Sequence, residues 1–235
     1  MLLAIDIGNT NITMGIFQER QIVATWRMAT DSHKLSDEYA ILIRSLLPLK
    51  NVSVDNIDSM VICSVVPPLT SVFEELGKSH FNVTPIVVGT GIRTGVKILY
   101  DNPRDVGADR VVDAAAAFKL YGGPIIIVDF GTATVFDAVS REGEYLGGAI
   151  ASGITLTAEA LYERTSQLRR VELQAPKEAI GRNTATSIQS GIVFGHVGMV
   201  ESMVRRFKNE LGEDTKVIGT GGMAPLVEEH TKVFD

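Results

Sequence analysis

The chain has 235 residues, enough for one large or two modest domains with a sizeable core, and its 45% apolar and 21% charged residues are ordinary for a soluble globular protein. A net charge of −6 argues against a nucleic-acid partner, which calls for a basic patch. No stretch approaches the roughly 18 apolar residues of a membrane span, and the N-terminus lacks the charged region and cleavage site of a signal peptide. The single Cys63 cannot form an internal disulfide, sits in an apolar run and reads as a buried strand residue. A cytoplasmic, reducing setting without membrane or nucleic acid is the expectation. His33, His80, His196 and His230 are scattered without metal-ligand spacing and read as structural or surface residues.

The chain opens with a buried strand from Leu2 to Ile7, a tight turn carrying Asp6-Ile7-Gly8-Asn9-Thr10, and a returning strand to Phe17. Gln21 to Arg27 alternates as a third antiparallel strand. Ser36 is placed to cap a helix through Leu47, with acids in the first turn and Pro48 as the stop. Met60 to Val66 is the near-continuous apolar run of a buried parallel strand, ended by Pro67-Pro68. A helix near Ser71 to Lys78 and a strand at Pro85 to Val88 follow. Strands followed by alternating helices and strands indicate a mixed α/β sheet.

Tyr100-Asp101-Asn102-Pro103 is turn chemistry, and an Ala-rich helix begins near Gly107-Ala108-Asp109-Arg110. There Asp109 reads on spacing alone as an N-cap and Arg110 as a solvated charge. From Ile125 the opening unit recurs: a buried strand, Asp129-Phe130-Gly131-Thr132-Ala133-Thr134, and a returning strand. Gly143 to Gly153 leads a strand into glycine-rich backbone, either a plain turn before the helix of Ile154 to Thr165 or a close approach to a ligand. Gln174 to Arg182 is loop-like. Thr184 to Leu211 reads as one long helix, either continuous or broken. Its Gly191, Gly195 and Gly198 share a face suited to close packing, internal or between subunits. Lys216 to Thr220 is a strand entering Gly221-Gly222, with a helix beyond.

The repeated unit carries the chemistry. Glycine lets the turn adopt φ > 0 and lets backbone amides approach a ligand. Successive amides make a concave anion site, to which Asn9, Thr10 and Thr132 add donors without adding negative charge. A carboxylate at the strand end suits a hydrated magnesium ion. Two such units facing each other would hold a polyphosphate and its metal in a cleft between two halves.

The motif Asp6-Ile7-Gly8-Asn9-Thr10-Asn11 resembles the phosphate loop of type III pantothenate kinases, members of the superfamily of actin-like ATPases and of sugar and acetate kinases. Ser64 to Pro68, Tyr100 to Pro103, Gly107 to Arg110, Asp129 to Thr134, Gly147 to Ile150 and Thr220 to Gly222 match the same family in order, over nearly the whole chain. The resemblance implies a duplicated ribonuclease-H-like (actin-like ATPase) α/β fold, with two similar halves divided as residues 1–115 and 116–235, the second expected to lack the last helix usual in the family. It implies phosphorylation of pantothenate by ATP with magnesium, giving 4′-phosphopantothenate, the first step of coenzyme A biosynthesis, in a homodimer. ATP contacts would come from Asp6, Ile7, Gly8, Asn9, Thr10, Asn11, Ile12, Thr13 and Thr132, and pantothenate contacts from Tyr100, Gly107, Ala108, Asp109, Arg110 and Thr184. Thr184 would otherwise be only a helix cap. By the same resemblance Asp109 is the catalytic base, Asp129 binds a monovalent cation (potassium or ammonium), and Asp6 helps hold magnesium. From chemistry alone, Asp6, Asp109 and Asp129 remain equal candidates for the base. Two other readings stand beside this one: a different superfamily enzyme, acting on another small hydroxy acid or as a phosphatase-like ATPase, and a regulatory binding protein on a degenerate kinase fold.

Overall fold

The computed structural model describes residues 1–89, 91–165 and 168–235. The chain divides into two units, Met1–Arg93 with Arg104–Val112, and Thr94–Pro103 with Asp113–Asp235.

In the first unit, strands β1 (Leu2–Ile7), β2 (Asn11–Gln18) and β3 (Gln21–Ala29) form an antiparallel meander. Helix α1 (Ser36–Leu46), strand β4 (Ser59–Ser64), helix α2 (Pro67–Phe81) and the short strand β5 (Ile86–Val87) complete it. The sheet order is β3-β2-β1-β4-β5, with β4 and β5 running parallel to β1. Alternation decides the faces: Leu3, Ile5 and Ile7 point into a core with Met14, Ile62, Tyr39 and Phe73, while Asp6 lies on the other face and is exposed. Tyr39 of α1 packs on Phe73 of α2 at 4.8 Å between ring centroids.

Three sequence expectations change here. The N-cap of α1 is Leu35, whose carbonyl accepts the Tyr39 amide, so Ser36 is the first helical residue; the Glu38 side chain accepts the Leu35 amide at 2.9 Å. Pro67 and Pro68 do not merely end β4. They occupy the first positions of α2, where a missing N–H costs nothing. Pro48 acts less as a stop than as part of a 3₁₀ turn, Leu47–Lys50, that tightens the end of α1.

In the second unit, β6 (Lys97–Ile98) is a short edge strand. Helix α3 (Ala108–Tyr121) begins in the first unit and continues into the second. Then come β7 (Ile125–Phe130), β8 (Ala133–Val139), β9 (Glu144–Ser152), α4 (Ile154–Glu163), an unbroken α5 (Thr184–Leu211), β10 (Lys216–Thr220) and a short α6 (Ala224–Glu228). The order is β10-β7-β8-β9-β6, with β7 parallel to β10 and antiparallel to β8. Thus β9-β8-β7-β10 repeats β3-β2-β1-β4, and the two units are similar halves of mixed α/β architecture. The glycine-rich Gly147-Gly148 is neither a turn nor a loop: it lies within β9, where Leu146 is the extra residue of a bulge opposite Ala138 and Val139.

Candidate functional site

The first hairpin turn is closed by the Gly8 amide donating to the Asn11 carbonyl at 3.0 Å. Gly8 does not occupy the left-handed region that the sequence suggested. A Cβ there would lie 3.1 Å from the Asn11 oxygen, so the glycine serves close backbone approach. Asn9, Thr10 and Asn11 are exposed, whereas Ile7 and Ile12 are fully buried and can offer a ligand only backbone. At the end of β3 the Thr30 amide donates to the Thr10 carbonyl at 3.0 Å, and the Thr30 hydroxyl to the Gly8 carbonyl at 2.7 Å.

Asp6 stands beside this turn, directly across from Thr13 on β2 and Cys63 on β4. Although accessible to water, its carboxylate sits among enough protein that lost hydration raises its pKa. The negative charge of Asp109 raises it further, and the Cys63 thiol, donating to the carboxylate, lowers it. Cys63 is therefore a strand residue, as its apolar run predicts, and also a partner of Asp6. The sequence places Asp6 and Asp109 far apart; the fold of the first unit brings their charges within reach of each other.

Asp109 is not the N-cap of α3. The Gly107 carbonyl accepts the Val111 amide, so Gly107 holds that position and Asp109 is the second helical residue. Its carboxylate accepts the Arg110 amide at 2.8 Å. A Cβ on Gly107 would meet this carboxylate, so a side chain there would require the Asp109 carboxylate to shift. Arg110 is 9% exposed, a buried cation rather than a solvated one. Gly107 and Ala108 are half-buried beside it.

In the second unit, the Gly131 amide donates to the Ala133 carbonyl at 3.0 Å and the Gly153 amide to the Thr132 carbonyl at 3.1 Å. Thr132 is exposed. Asp129 is half-buried, across from Thr220 on β10. Gly221, at φ +93°, presses on it: a Cβ there would be 2.5 Å from the Asp129 carboxylate. The Thr134 hydroxyl is 2.9 Å from Nε2 of His196, a buried ring whose pKa is lowered by desolvation. His196 is thus structural, as its lack of metal-ligand spacing predicts.

Tyr100 is half-buried, its ring 6.3 Å from that of Tyr145, and Gly147 at φ +120° leaves room for it: a Cβ there would be 3.2 Å away. Tyr145 in turn donates to the buried Asp137 at 2.8 Å. Thr184 is exposed and is the first residue of α5; the cap is Asn183, whose side chain accepts the Thr186 amide at 2.9 Å. A Cβ on Gly191, Gly195 or Gly198 would meet nothing within 4 Å, so among the described residues no element packs on that stripe. Gly191 and Gly195 line an open groove of about 350 Å³ with Ser152, Thr157, Ser187 and His196.

Among the described residues no group of three or more His, Cys, Asp or Glu is placed to hold a metal by itself. The carboxylate of Asp6 fits magnesium nonetheless, because that ion binds through one or two carboxylates plus waters and phosphate oxygens. A cation there would also relieve the repulsion between Asp6 and Asp109.

Comparison with known proteins gives a consistent result. The model of the type III pantothenate kinase family matches residues 2–206. Type III pantothenate kinases of Dehalococcoides mccartyi strains CBDB1 and ATCC BAA-2100 are each 50% identical over 234 residues, spanning 100% of this chain and 89% of theirs. Among solved structures, a putative Baf family transcriptional activator from Campylobacter jejuni aligns with TM-score 0.61 at 19% identity, over 99% of this chain and 90% of its own. A putative N-acetylglucosamine kinase from Porphyromonas gingivalis aligns with TM-score 0.51 at 14% identity, over 97% and 88%. At these identities the structural matches speak for the shared actin-like ATPase and sugar kinase fold alone.

Proposed function

The chain belongs to the type III pantothenate kinase family, and from that premise we propose how its residues divide the work. The activity is ATP-dependent phosphorylation of pantothenate to 4′-phosphopantothenate, the entry to coenzyme A biosynthesis. The observation that carries the residue assignment is the meeting of Asp6, the phosphate turn and Asp109 within one unit.

In this reading the backbone of Asp6 to Thr13 cradles the ATP phosphates, with side-chain donors from Asn9, Thr10 and Asn11, and Thr132 adds a contact. Asp6 holds magnesium, which supplies charge neutralisation on the phosphates. Asp109 orients the pantothenate hydroxyl and takes its proton. The hydroxyl oxygen forms the new bond to the γ-phosphorus as the bond to the bridging oxygen breaks, and ADP leaves with that electron pair. A carboxylate serves as the base because the proton leaves late in a loose transition state. Arg110 meets the substrate carboxylate with paired donors, and Tyr100, Gly107, Ala108 and Thr184 line the pantothenate. Asp129 holds a monovalent cation, potassium or ammonium. We read the enzyme as a homodimer, supported by the uncovered glycine face of α5, and as cytoplasmic, supported by its lone free Cys63.

The test is ADP formation from magnesium-ATP with pantothenate, with and without potassium, beside a panel of other hydroxy acids. Pantothenate-dependent ADP that rises with potassium is expected. ADP release driven equally well by another hydroxy acid would overturn the substrate assignment, and indifference to potassium would remove the cation from Asp129.

A further inference from the structure

The phosphate turn does not hold its shape alone. We propose that Thr30 is a positioning residue for that turn and that Tyr39, from the core, sets Thr30 in place; this rests on the reading of Asp6 to Thr13 as the ATP phosphate cradle.

The geometry runs as a chain of hydrogen bonds. Thr30 holds two carbonyls of the turn at once, Thr10 through its amide at 3.0 Å and Gly8 through its hydroxyl at 2.7 Å. A trans peptide is planar, with C=O and N–H opposed. Fixing the Gly8 and Thr10 carbonyls therefore fixes the direction of the Asn9 and Asn11 amides, the donors an anion would meet. Directly after Thr30, both backbone groups of Asp31 are engaged by one hydroxyl: Tyr39 accepts the Asp31 amide at 3.0 Å and donates to its carbonyl at 2.9 Å. The Tyr39 ring is fully buried and packed at a tilt against Phe73, so this anchor is part of the core. The Asp31 carboxylate is turned away, accepting from the His33 amide at 3.0 Å and from Lys34 at 2.6 Å.

The second hairpin supplies an internal control. Gly153 makes the same amide bond to Thr132 that Thr30 makes to Thr10. It has no side chain, and a Cβ there would lie 2.6 Å from the Gly131 carbonyl oxygen, so no hydroxyl could fit. The backbone bond belongs to both copies of the unit. The hydroxyl bond exists only in the first, whose turn is longer: Ile7 faces Ile12 across it, whereas Phe130 faces Thr134. The longer turn has more freedom to lose, and Thr30 with Tyr39 removes it before the ligand arrives. Preorganised donors bind an anion without the cost of ordering them.

The experiment is equilibrium binding of magnesium-ATP, magnesium-ADP and adenosine to the full chain and to T30V, T30S and Y39F, with thermal unfolding of each. Thr30→Val keeps the shape and removes the hydroxyl. ATP and ADP affinity should fall about tenfold, the worth of one well-placed hydrogen bond, with adenosine affinity changed less than about twofold. Thr30→Ser keeps the hydroxyl and should stay within about threefold of the original, and Tyr39→Phe should fall about threefold with its ring packing retained. A general loss of structure would weaken all three ligands together. Unchanged ATP affinity in T30V, equal losses in T30V and T30S, or equal losses for ATP and adenosine would each overturn the proposal. If T30V loses its cooperative unfolding, Y39F carries the test, and wild-type ATP affinity there overturns it. A wild-type chain that binds ATP but forms no phosphopantothenate would remove the substrate reading and leave this one standing; one that binds no nucleotide removes both.

Discussion

The two hairpins, β1–β2 and β7–β8, are copies of one unit that have diverged around their aspartates. Their backbones agree: each Asp-x-Gly ends a central strand, and each turn is closed by an amide from the end of the third strand, Thr30 to Thr10 and Gly153 to Thr132. Their side chains do not. Asp6 is exposed, faces Cys63 across the strands and feels the charge of Asp109. Asp129 is half-buried, faces Thr220 and is closed in by Gly221. The lesson is that ladder and turn-closing bonds, made by backbone, preserve the unit while leaving the chemistry of each carboxylate to its neighbours. The first copy stays open, in keeping with the magnesium and polyphosphate proposed for it; the second is more enclosed, in keeping with the largely dehydrated monovalent cation proposed there.

The largest test of this division is Asp109→Asn. Turnover should fall about a thousandfold, the scale of a lost general base, with ATP affinity within about twofold. Single-turnover kinetics beside ATP titration checks it, and full turnover in the variant would end the assignment. Next is Gly221→Ala, which puts a methyl against Asp129 at a φ that side chains rarely adopt. The potassium concentration for half-maximal activity should rise about tenfold, with a stability loss of roughly 1–3 kcal/mol from overpacking. An unchanged potassium response would separate Asp129 from the cation.

A subtler test compares the third-strand ends. Gly153→Ala forces a Cβ onto the Gly131 and Thr132 carbonyls and should cost roughly 1–3 kcal/mol in denaturant unfolding. Thr30→Ala removes one hydrogen bond from a half-buried site and should cost about 1 kcal/mol or less. Equal costs would mean that the two ends are interchangeable.

The smallest effect concerns pH. The raised pKa of Asp6 means that its charged form is disfavoured in the fold, a cost present above the folded pKa and relieved as pH falls through it toward the ordinary 3.8. Asp6→Asn should therefore raise the unfolding midpoint of the ligand-free protein at pH 7. The gain should shrink as pH falls and vanish below 3.8. The same titration should weaken magnesium-ATP binding to the wild type at low pH. A gain that grows with acidity would reverse the sign and sink this account of Asp6.

The sequence by itself determined the periodic and local features. Alternation in Leu2 to Phe17 and Gln21 to Arg27, the apolar runs at Met60 and Ile125, and the span of α5 are written in side-chain spacing, because burial of one face imposes a period of two or 3.6. The repeated Asp-x-Gly motif likewise exposed the duplication, and the order of motifs exposed the family. Helix starts were less legible: Leu35, Gly107 and Asn183 hold the cap positions that the residue types of Ser36, Asp109 and Thr184 favour, because chain entry from the preceding loop decides which carbonyl begins the helix. Only the tertiary structure decided that Cys63 bonds Asp6, that Asp109 charges the same site, that Gly153 and Gly221 brace the second hairpin, and that Thr30 and Tyr39 brace the first. Each of these joins residues from different elements or from the turns that flank them. Such contacts follow from sheet order and register, which no local spacing records.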